Sequence, residues 1–195
     1  MKKFLSFICA LCVVYCAFAK EVVVVQKKAE PYIGNMTQYC TYKKVHKNVE
    51  LVNRLKYLEI KQNGEVVASF DPVNIDRNSL YIWVGLSPNG KMILFSTSDQ
   101  GTFICNLKGE ILYRLGKDVN ATNWWDNRYL VGMMDEDNGE NFTKSDLVLV
   151  DIRTGEKIMI ETDEDIALYP CAKKPYIEYF SLDNIKHTIK IKIKK

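Results

Sequence analysis

Residues 85–115 read GLSPNGKMILFSTSDQGTFICNLKGEILYRL, and this stretch contains a complete small antiparallel unit. Pro88 restricts the backbone of the first turn, and Asn89 and Gly90 supply the left-handed positions that a tight hairpin turn needs. Short apolar runs and an alternating run on either side of such turns predict strands. The strands predicted in this unit are residues 80–84, 92–95, 102–107 and 110–115.

Three other parts of the chain show the same succession of short strands and turns. Residues 51–60 can be read at helical spacing or as a strand, and we favour a strand because the Asn63-Gly64 turn follows. Equivalent turns recur at intervals of roughly 40 to 50 residues, the spacing of four-stranded propeller blades. The strands predicted in these units are residues 38–44, 51–60 and 65–70; 121–125, 129–134, 146–152 and 156–160; and 166–169, 176–180 and 187–194.

The segment 21–26, EVVVVQ, predicts an isolated strand that needs a partner sheet. The last unit has only three predicted strands, and its final one alternates Ile and Lys over residues 187–194. We therefore expect the first strand to complete the last unit and close the ring, which leaves no bare edge. The sequence predicts an all-β fold, a small or partial β-propeller of about four antiparallel four-stranded units. An irregular two-sheet β-sandwich is the alternative.

The unit at residues 85–115 resembles a TolB-like, WD-like β-propeller repeat. Such blades typically read Trp-Ser-Pro-Asp-Gly-Lys, then an apolar strand, a turn with Asp and Gly, and a further strand. Leu86 replaces the usual Trp and Asn89 the usual Asp, and the match is weaker over the rest of residues 20–195. The resemblance implies a binding scaffold outside the cytoplasm, and it offers no catalytic residue that could be assigned to a position in this sequence. The matching positions are residues 87–91, 93–96, Asp99, Gly101 and 103–107.

Residues 1–19 have the organisation of a secretory signal peptide. Lys2 and Lys3 precede an almost wholly apolar run, and Ala17-Phe18-Ala19 fits the small-x-small cleavage rule. The run is shorter than the roughly 20 residues that cross a bilayer, so we expect no transmembrane segment after cleavage. The sequence thus predicts a β-propeller-like domain over residues 20–195 that is exported to the periplasm or cell envelope or secreted.

Charge and cysteine content exclude two classes of protein. Without Lys2 and Lys3, the 27 Lys and Arg become 25 against 24 Asp and Glu, so no nucleic-acid surface is indicated. Three cysteines remain after residue 19, and an odd number cannot form a complete disulfide framework. Cys105, within an apolar strand, is interpreted as a small buried hydrophobe. Cys40 and Cys171 are interpreted as separate buried thiols, with a bridge between the first and last units as the alternative.

Oxygen-bearing side chains crowd residues 135–141, DEDNGEN, and make Asp135, Asp137 and Glu140 weak candidates for binding a hard cation. The calcium loop of helix-loop-helix proteins needs Gly at its sixth position, whereas Gly139 is fifth here. We interpret the run as a solvated hairpin loop and expect no bound metal or cofactor.

Trp124 and Trp125 are adjacent, so in a strand they point to opposite faces and one of them can be exposed. We interpret them as packing between blades, while the alternative is a ligand or glycan site formed with the acidic loop at Asp135. The two histidines, His46 and His187, have no nucleophile motif beside them, and no phosphate loop is present. The sequence therefore predicts a non-catalytic module that binds a protein partner.

Overall fold

The computed structural model describes residues 20–137 and 142–194, so the predicted signal peptide lies outside the described residues. The first strand, β1 (Glu21–Pro31), belongs to the last of four antiparallel four-stranded sheets, the blades of a partial β-propeller. Blade 1 contains β2 (Val45–His46), β3 (Val49–Asn53), β4 (Leu58–Gln62) and β5 (Glu65–Phe70). Blade 2 contains β6 (Tyr81–Leu86), β7 (Met92–Thr97), β8 (Gly101–Asn106) and β9 (Ile111–Gly116). Blade 3 contains β10 (Asn120–Trp124), β11 (Tyr129–Asp137), β12 (Phe142–Asp151) and β13 (Lys157–Ile160). Blade 4 contains β14 (Leu168–Lys173), β15 (Tyr176–Phe180), β16 (Ile185–Lys194) and β1.

The predicted all-β class and blade plan are confirmed, and a 3-10 helix at Met36–Gln38 interrupts the strands. Asn63 and Gly64 have φ of 50° and 88°, the positive values that a two-residue hairpin turn requires. The turn predicted at these two residues is therefore confirmed. In the part of the chain that the structure describes, no helix is long and apolar enough to cross a membrane.

Alternation along each strand sends side chains to both neighbouring blades, and this builds the core. In β7, Ile93 and Phe95 pack with blade 1, whereas Leu94 packs with blade 3. In β12, Val148 faces blade 2 and Leu149 faces blade 4. Within residues 20–137 and 142–194, the clusters of buried apolar side chains lie between blades 1 and 2, 2 and 3, and 3 and 4.

The two ends of the described chain pair as predicted. Strand β1 runs antiparallel to β16, from Glu21 opposite Lys194 to Pro31 opposite Ile185. The Ile/Lys alternation of β16 buries Ile189 and Ile191 against blade 3. The first strand of the chain thus completes the last blade, which covers an edge that would otherwise be free to pair with another chain.

Blades 1 and 4 are joined by an irregular segment, where the sequence predicts a strand over residues 38–44. That prediction is wrong, because only Met36–Gln38 is regular there and β2 begins at Val45. Tyr39 is one of the aromatic residues of that alternating run, and its ring packs on Phe180 of blade 4 at a centroid distance of 5.0 Å. A half-buried aromatic pattern therefore indicated contact with another blade, not a strand.

Several strand boundaries differ from the prediction; β1, for example, was predicted over residues 21–26 but continues to Pro31. Residues 51–60 form parts of two strands, because Asn53 Oδ1 accepts a hydrogen bond from the Leu55 N–H (2.8 Å) and turns the chain. Residues 135–137, predicted as the start of a hairpin loop, belong to β11, and β12 starts at Phe142. Cys171 lies within β14 and not in the turn that follows it.

Candidate functional site

The first hairpins of the four blades, β2–β3, β6–β7, β10–β11 and β14–β15, turn at the same end of the ring, which we call the inner-turn face. Neighbouring turns bind each other directly. The Asn89 N–H donates to Asn127 Oδ1 at 3.0 Å, and Lys174 Nζ lies 2.7 Å from Asp126 Oδ2. The turns of blades 2, 3 and 4 therefore form one continuous rim, and their side chains keep fixed relative positions.

The Ser-Pro-Asn-Gly turn of blade 2 is closed as the sequence predicts. The Gly90 N–H donates to the Ser87 carbonyl at 2.9 Å, with Gly90 at φ 69°. Ser87 is buried, and its Oγ accepts from the Met92 N–H at 3.0 Å. Asn89 Oδ1 accepts from the Lys91 N–H at 3.1 Å. These bonds satisfy the backbone groups that a tight turn leaves free and fix its exposed residues.

Residues 39–44, the central segment, cross the inner-turn face beside the first strands of blades 2, 3 and 4. The Leu86 N–H donates to the Lys43 carbonyl at 2.7 Å, and Lys44 Nζ donates to the Val84 carbonyl. Burial lowers the pKa of Lys44 to about 8. Beside the segment lies a cleft of about 230 Å³ that is lined by Thr41, Tyr42, Lys43, Leu86, Pro88, Asn123, Trp124 and Ala172.

Gly85 allows the central segment to lie this close to β6. A Cβ placed on Gly85 would lie 3.1 Å from Tyr42 Cβ and 3.2 Å from its Cδ1. We expect Gly85→Ala to lower the free energy of unfolding by about 1–3 kcal/mol, because the buried ring must shift. Urea unfolding measures the change. In a Tyr42→Gly background, which removes both the Cβ and the ring, the same substitution should cost much less, and an equal cost in both backgrounds would contradict this contact as the cause.

An ion-pair network anchors the central segment to blade 4. The Tyr39 hydroxyl donates to Glu178 Oε2 at 2.5 Å, and Lys173 Nζ lies 2.5 Å from the same carboxylate and 3.0 Å from the Tyr39 oxygen. Burial acts to raise the pKa of Glu178, but the hydrogen bonds from Lys173 and Tyr39 outweigh it and leave this pKa below its usual value. Glu178 therefore stays ionised, and this part of the face is fixed.

The inner-turn face carries more exposed cationic than anionic side chains. Two of the acids beside the turns are paired, Asp126 with Lys174 and Glu178 with Lys173. A negatively charged group is attracted to such a surface from a distance, and the positions of the lysines then determine how it is oriented there. The exposed lysines of the central segment and the turns are Lys43, Lys47, Lys91, Lys173 and Lys174.

Both tryptophans considered for ligand binding are enclosed between blades. Trp124 is 8% exposed, packs between blades 2 and 3 and donates from Nε1 to the Gly85 carbonyl at 3.3 Å. Trp125 is 5% exposed and packs between blades 3 and 4. The two rings point to opposite faces as expected, but both faces are covered, so neither ring offers a stacking surface.

Asp135 lies away from these rings. Trp124 pairs with Leu130, whereas Asn120, at the other end of β10, pairs with Met133 and binds Asp135 Oδ2 at 2.9 Å. Four residues of strand separate the two ends by roughly 13 Å. The structure therefore does not bring the tryptophans and Asp135 into one site.

Asp135 is also occupied by protein donors, because its Oδ1 accepts from Ser145 Oγ at 2.8 Å. The side chain of Asp137, and Glu140 as a whole, lie outside the described residues. Among the residues that are described, no group of three or more His, Cys, Asp or Glu side chains is placed to hold a metal ion.

His187 has a serine beside it but not the arrangement of a catalytic triad. Its Nε2 lies 3.1 Å from Ser181 Oγ and 3.5 Å from Glu164 Oε1, so serine and acid approach the same ring nitrogen. A triad needs the acid on the opposite nitrogen, where it orients the ring. Ser181 is also buried and donates to Asp183. We interpret this cluster as closing the β15–β16 turn.

Two groupings in the structure join residues from distant parts of the chain. Cys40, in the central segment, and Cys171, in β14, are free thiols, and they lie close enough for each to shift the pKa of the other. Asp151 is fully buried and binds Arg128 and Lys20. The closeness of the two cysteines agrees with the predicted pairing of the first and last units, whereas the sequence carries no signal for the Asp151 grouping. Cys105 is buried as predicted, and burial raises its pKa to about 12.

The sheets and their order define a partial β-propeller whose first described strand completes its last blade. No protein-family model matches the sequence, and no curated protein matches it either. Among solved structures, the chain is similar to the C-terminal WD40 domain of Sif2, with a TM-score of 0.44 and 11% sequence identity. The match covers 84% of this chain and 49% of that one, so this chain spans about half the length of its structural neighbour.

Proposed function

We propose that this protein is a non-catalytic interaction scaffold, exported to the bacterial periplasm or cell envelope, whose inner-turn face binds an acidic segment of a partner protein. The exposed lysines of this rim, which outnumber its acids, carry the proposal, and Asp126 and Glu178 are already paired with lysines of the protein itself. The cleft beside Tyr42 and Trp124 supplies apolar and hydrogen-bonding surface at the centre of that charged rim. The predicted signal peptide at residues 1–19 supports export.

An acidic, extended segment fits this face better than a folded acidic domain does. The cleft of about 230 Å³ is small, so it accepts one or two side chains while lysines on the rim contact carboxylates on either side. Lys47 lies in the blade 1 turn and Lys91 in the blade 2 turn, and both are exposed. These two residues are the best ones to substitute, because changing them leaves the ion pairs of Lys173 and Lys174 intact.

Replacing Lys47 and Lys91 with Glu should weaken partner binding by roughly tenfold or more, because like charges then face the acidic segment. The control is the double variant Arg77→Glu and Lys117→Glu, which makes the same charge change in exposed loops at the opposite end of the ring. Capture from the source's envelope fraction, followed by cross-linking and mass spectrometry, gives the partner and the segment bound. Binding by the purified pair is then titrated at low and high salt.

The proposal predicts that the cross-linked segment is acidic, that the rim variant loses it, and that salt weakens binding. Equal loss in both variants would contradict the inner-turn face as the site. Cross-links confined to the opposite end of the ring would do so as well.

A further inference from the structure

We propose that Cys40 and Cys171 form a reversible disulfide that fastens the central segment to blade 4. Cys171 lies in β14 and is 5% exposed, while Cys40 is half-buried in the central segment. Cys171 lies opposite Glu178 in the β14–β15 ladder, and Glu178 accepts the hydrogen bond from Tyr39, the residue before Cys40. Thr41 and Ala172, the residues that follow the two cysteines, line the same cleft. The residues on both sides of Cys40 therefore lie beside Cys171, which positions the two cysteines for a bond between their sulfurs.

The neighbourhood keeps Cys40 at this position. Tyr39, just before it, binds Glu178 and packs edge-on against Phe180 at 5.0 Å. On the other side of the thiol, Asn123 Nδ2 donates to Cys40 Sγ at 3.0 Å. The central segment is therefore held to blade 4 and blade 3 around Cys40, and a disulfide requires no large movement of the chain.

The electrostatics favour reaction at this pair over Cys105. The hydrogen bond from Cys40 lowers the pKa of Cys171, and the nearby Lys173 cation acts in the same direction. The same bond, together with burial, raises the pKa of Cys40. A dithiol that shares one proton supplies a thiolate more readily than an isolated buried thiol does. Burial alone raises the pKa of Cys105, which has no sulfur partner.

The oxidant is a small disulfide, RSSR, of the kind present in an oxidising exported compartment. The Cys40 proton passes to the Cys171 thiolate, and the more exposed Cys40 sulfur attacks RSSR, forming a mixed disulfide and releasing RS⁻. Cys171 then attacks the Cys40 sulfur and releases RSH. The protein pair loses two electrons and the small disulfide gains two, so one protein disulfide forms as one RSSR is cleaved.

The bond would enclose residues 41–170, which include blades 1 to 3. Cross-links that close long loops restrict the unfolded chain most strongly. The disulfide therefore stabilises the seam between blades 1 and 4, where the described chain is joined by the irregular segment. This consequence does not depend on the proposed partner-binding function.

The test equilibrates purified residues 20–195, the chain without its predicted signal peptide, with mixtures of reduced and oxidised glutathione, then denatures the protein, alkylates it and measures its intact mass. We expect the oxidised protein to lose two hydrogens, to keep Cys105 as an alkylatable thiol, and to yield a linked peptide containing Cys40 and Cys171. Its melting temperature should exceed that of the reduced protein by roughly 5–15 °C.

Matched variants separate this bond from nonspecific oxidation. Cys105→Ala should form the linkage as the unmodified chain does, whereas Cys40→Ala and Cys171→Ala should not form it. In the double variant Cys40→Ala and Cys171→Ala, oxidised and reduced samples should melt at the same temperature. Alkylation of Cys40 and Cys171 at every glutathione ratio, or a linked peptide that contains Cys105, would overturn the proposal.

Discussion

A chain that lacks residues 20–31 should show no cooperative unfolding transition and should aggregate. Strand β1 pairs with β16 along nearly its whole length, from Glu21 to Pro31, and its removal exposes that edge. Val22 and Val24 pack against the cluster between blades 3 and 4, so their burial is lost as well. Lys20, just before the strand, also reaches Asp151 in blade 3. Circular dichroism melting and size-exclusion chromatography would measure the loss.

Point variants in β1 separate pairing from packing. Val22→Ser with Val24→Ser should lower stability by about 2–4 kcal/mol, because two partly buried side chains leave the core. The matched pair Val23→Ser with Val25→Ser lies on the other face, where Val25 is 45% exposed, and should cost well under half as much. Adding residues 20–31 as a separate peptide should restore a cooperative transition to the truncated chain. A truncated chain that melts cooperatively at the same temperature as the full chain would contradict the requirement for β1.

The sequence predicted the fold well where local chemistry decides structure. Asn63-Gly64 and the Ser87 turn set hairpins through positive φ, and alternation in β16 indicated which side chains face the core. Because nearly every strand belongs to a hairpin with its neighbour, local signals were enough to assign the blades. The pairing of β1 with β16 is not local, and it was predicted because a lone strand and an incomplete last blade each needed a partner.

The candidate site was harder to predict because it is assembled from every blade. Trp124 and Trp125 were correctly assigned to opposite faces, but a blade flanked on both sides has no exposed face. The sequence predicts a strand at Tyr39 because the residues that this side chain contacts, Glu178 and Phe180, lie far along the chain and leave no local signal. The Cys40–Cys171 contact is also between residues far apart in the chain, and ring closure indicated it only as an alternative. Each of these contacts depends on how the ring brings its inner strands together.

Replacing Asp151 with Ala should lower the free energy of unfolding at pH 7 by about 3 kcal/mol, the low end for a broken buried ion pair, because its partners keep some water. The Asp151 side chain is fully buried, and Arg128 binds it through Nε at 2.9 Å and Nη2 at 2.6 Å. Lys20 Nζ lies 2.6 Å from the same carboxylate. Removing the carboxylate leaves two cations facing each other at the junction of β1 with blade 3.

The effect of this substitution should depend on pH in a defined direction. Burial acts to raise the pKa of Asp151, but hydrogen bonds from Arg128 and Lys20 outweigh it and hold the pKa well below its ordinary value. A carboxylate whose pKa is depressed on folding stabilises the protein above its unfolded pKa of about 3.9 and loses that contribution as pH falls further. The stability gap between the unmodified chain and Asp151→Ala should therefore be constant from pH 7 to about 5 and shrink below about 4.

Urea unfolding of both chains at pH 7, 5, 4 and 3 would measure this gap. The matched control is Asp163→Ala, which removes an ion pair of similar length, 2.6 Å to Lys27, but at a carboxylate that is 71% exposed. That variant should change stability by no more than about 0.5–1 kcal/mol, because water screens an exposed pair. If the two variants cost the same at pH 7, or if the Asp151 gap does not shrink in acid, then the carboxylate does not stabilise this junction through its charge. The strand β1 would in that case be held by its ladder and its valines alone.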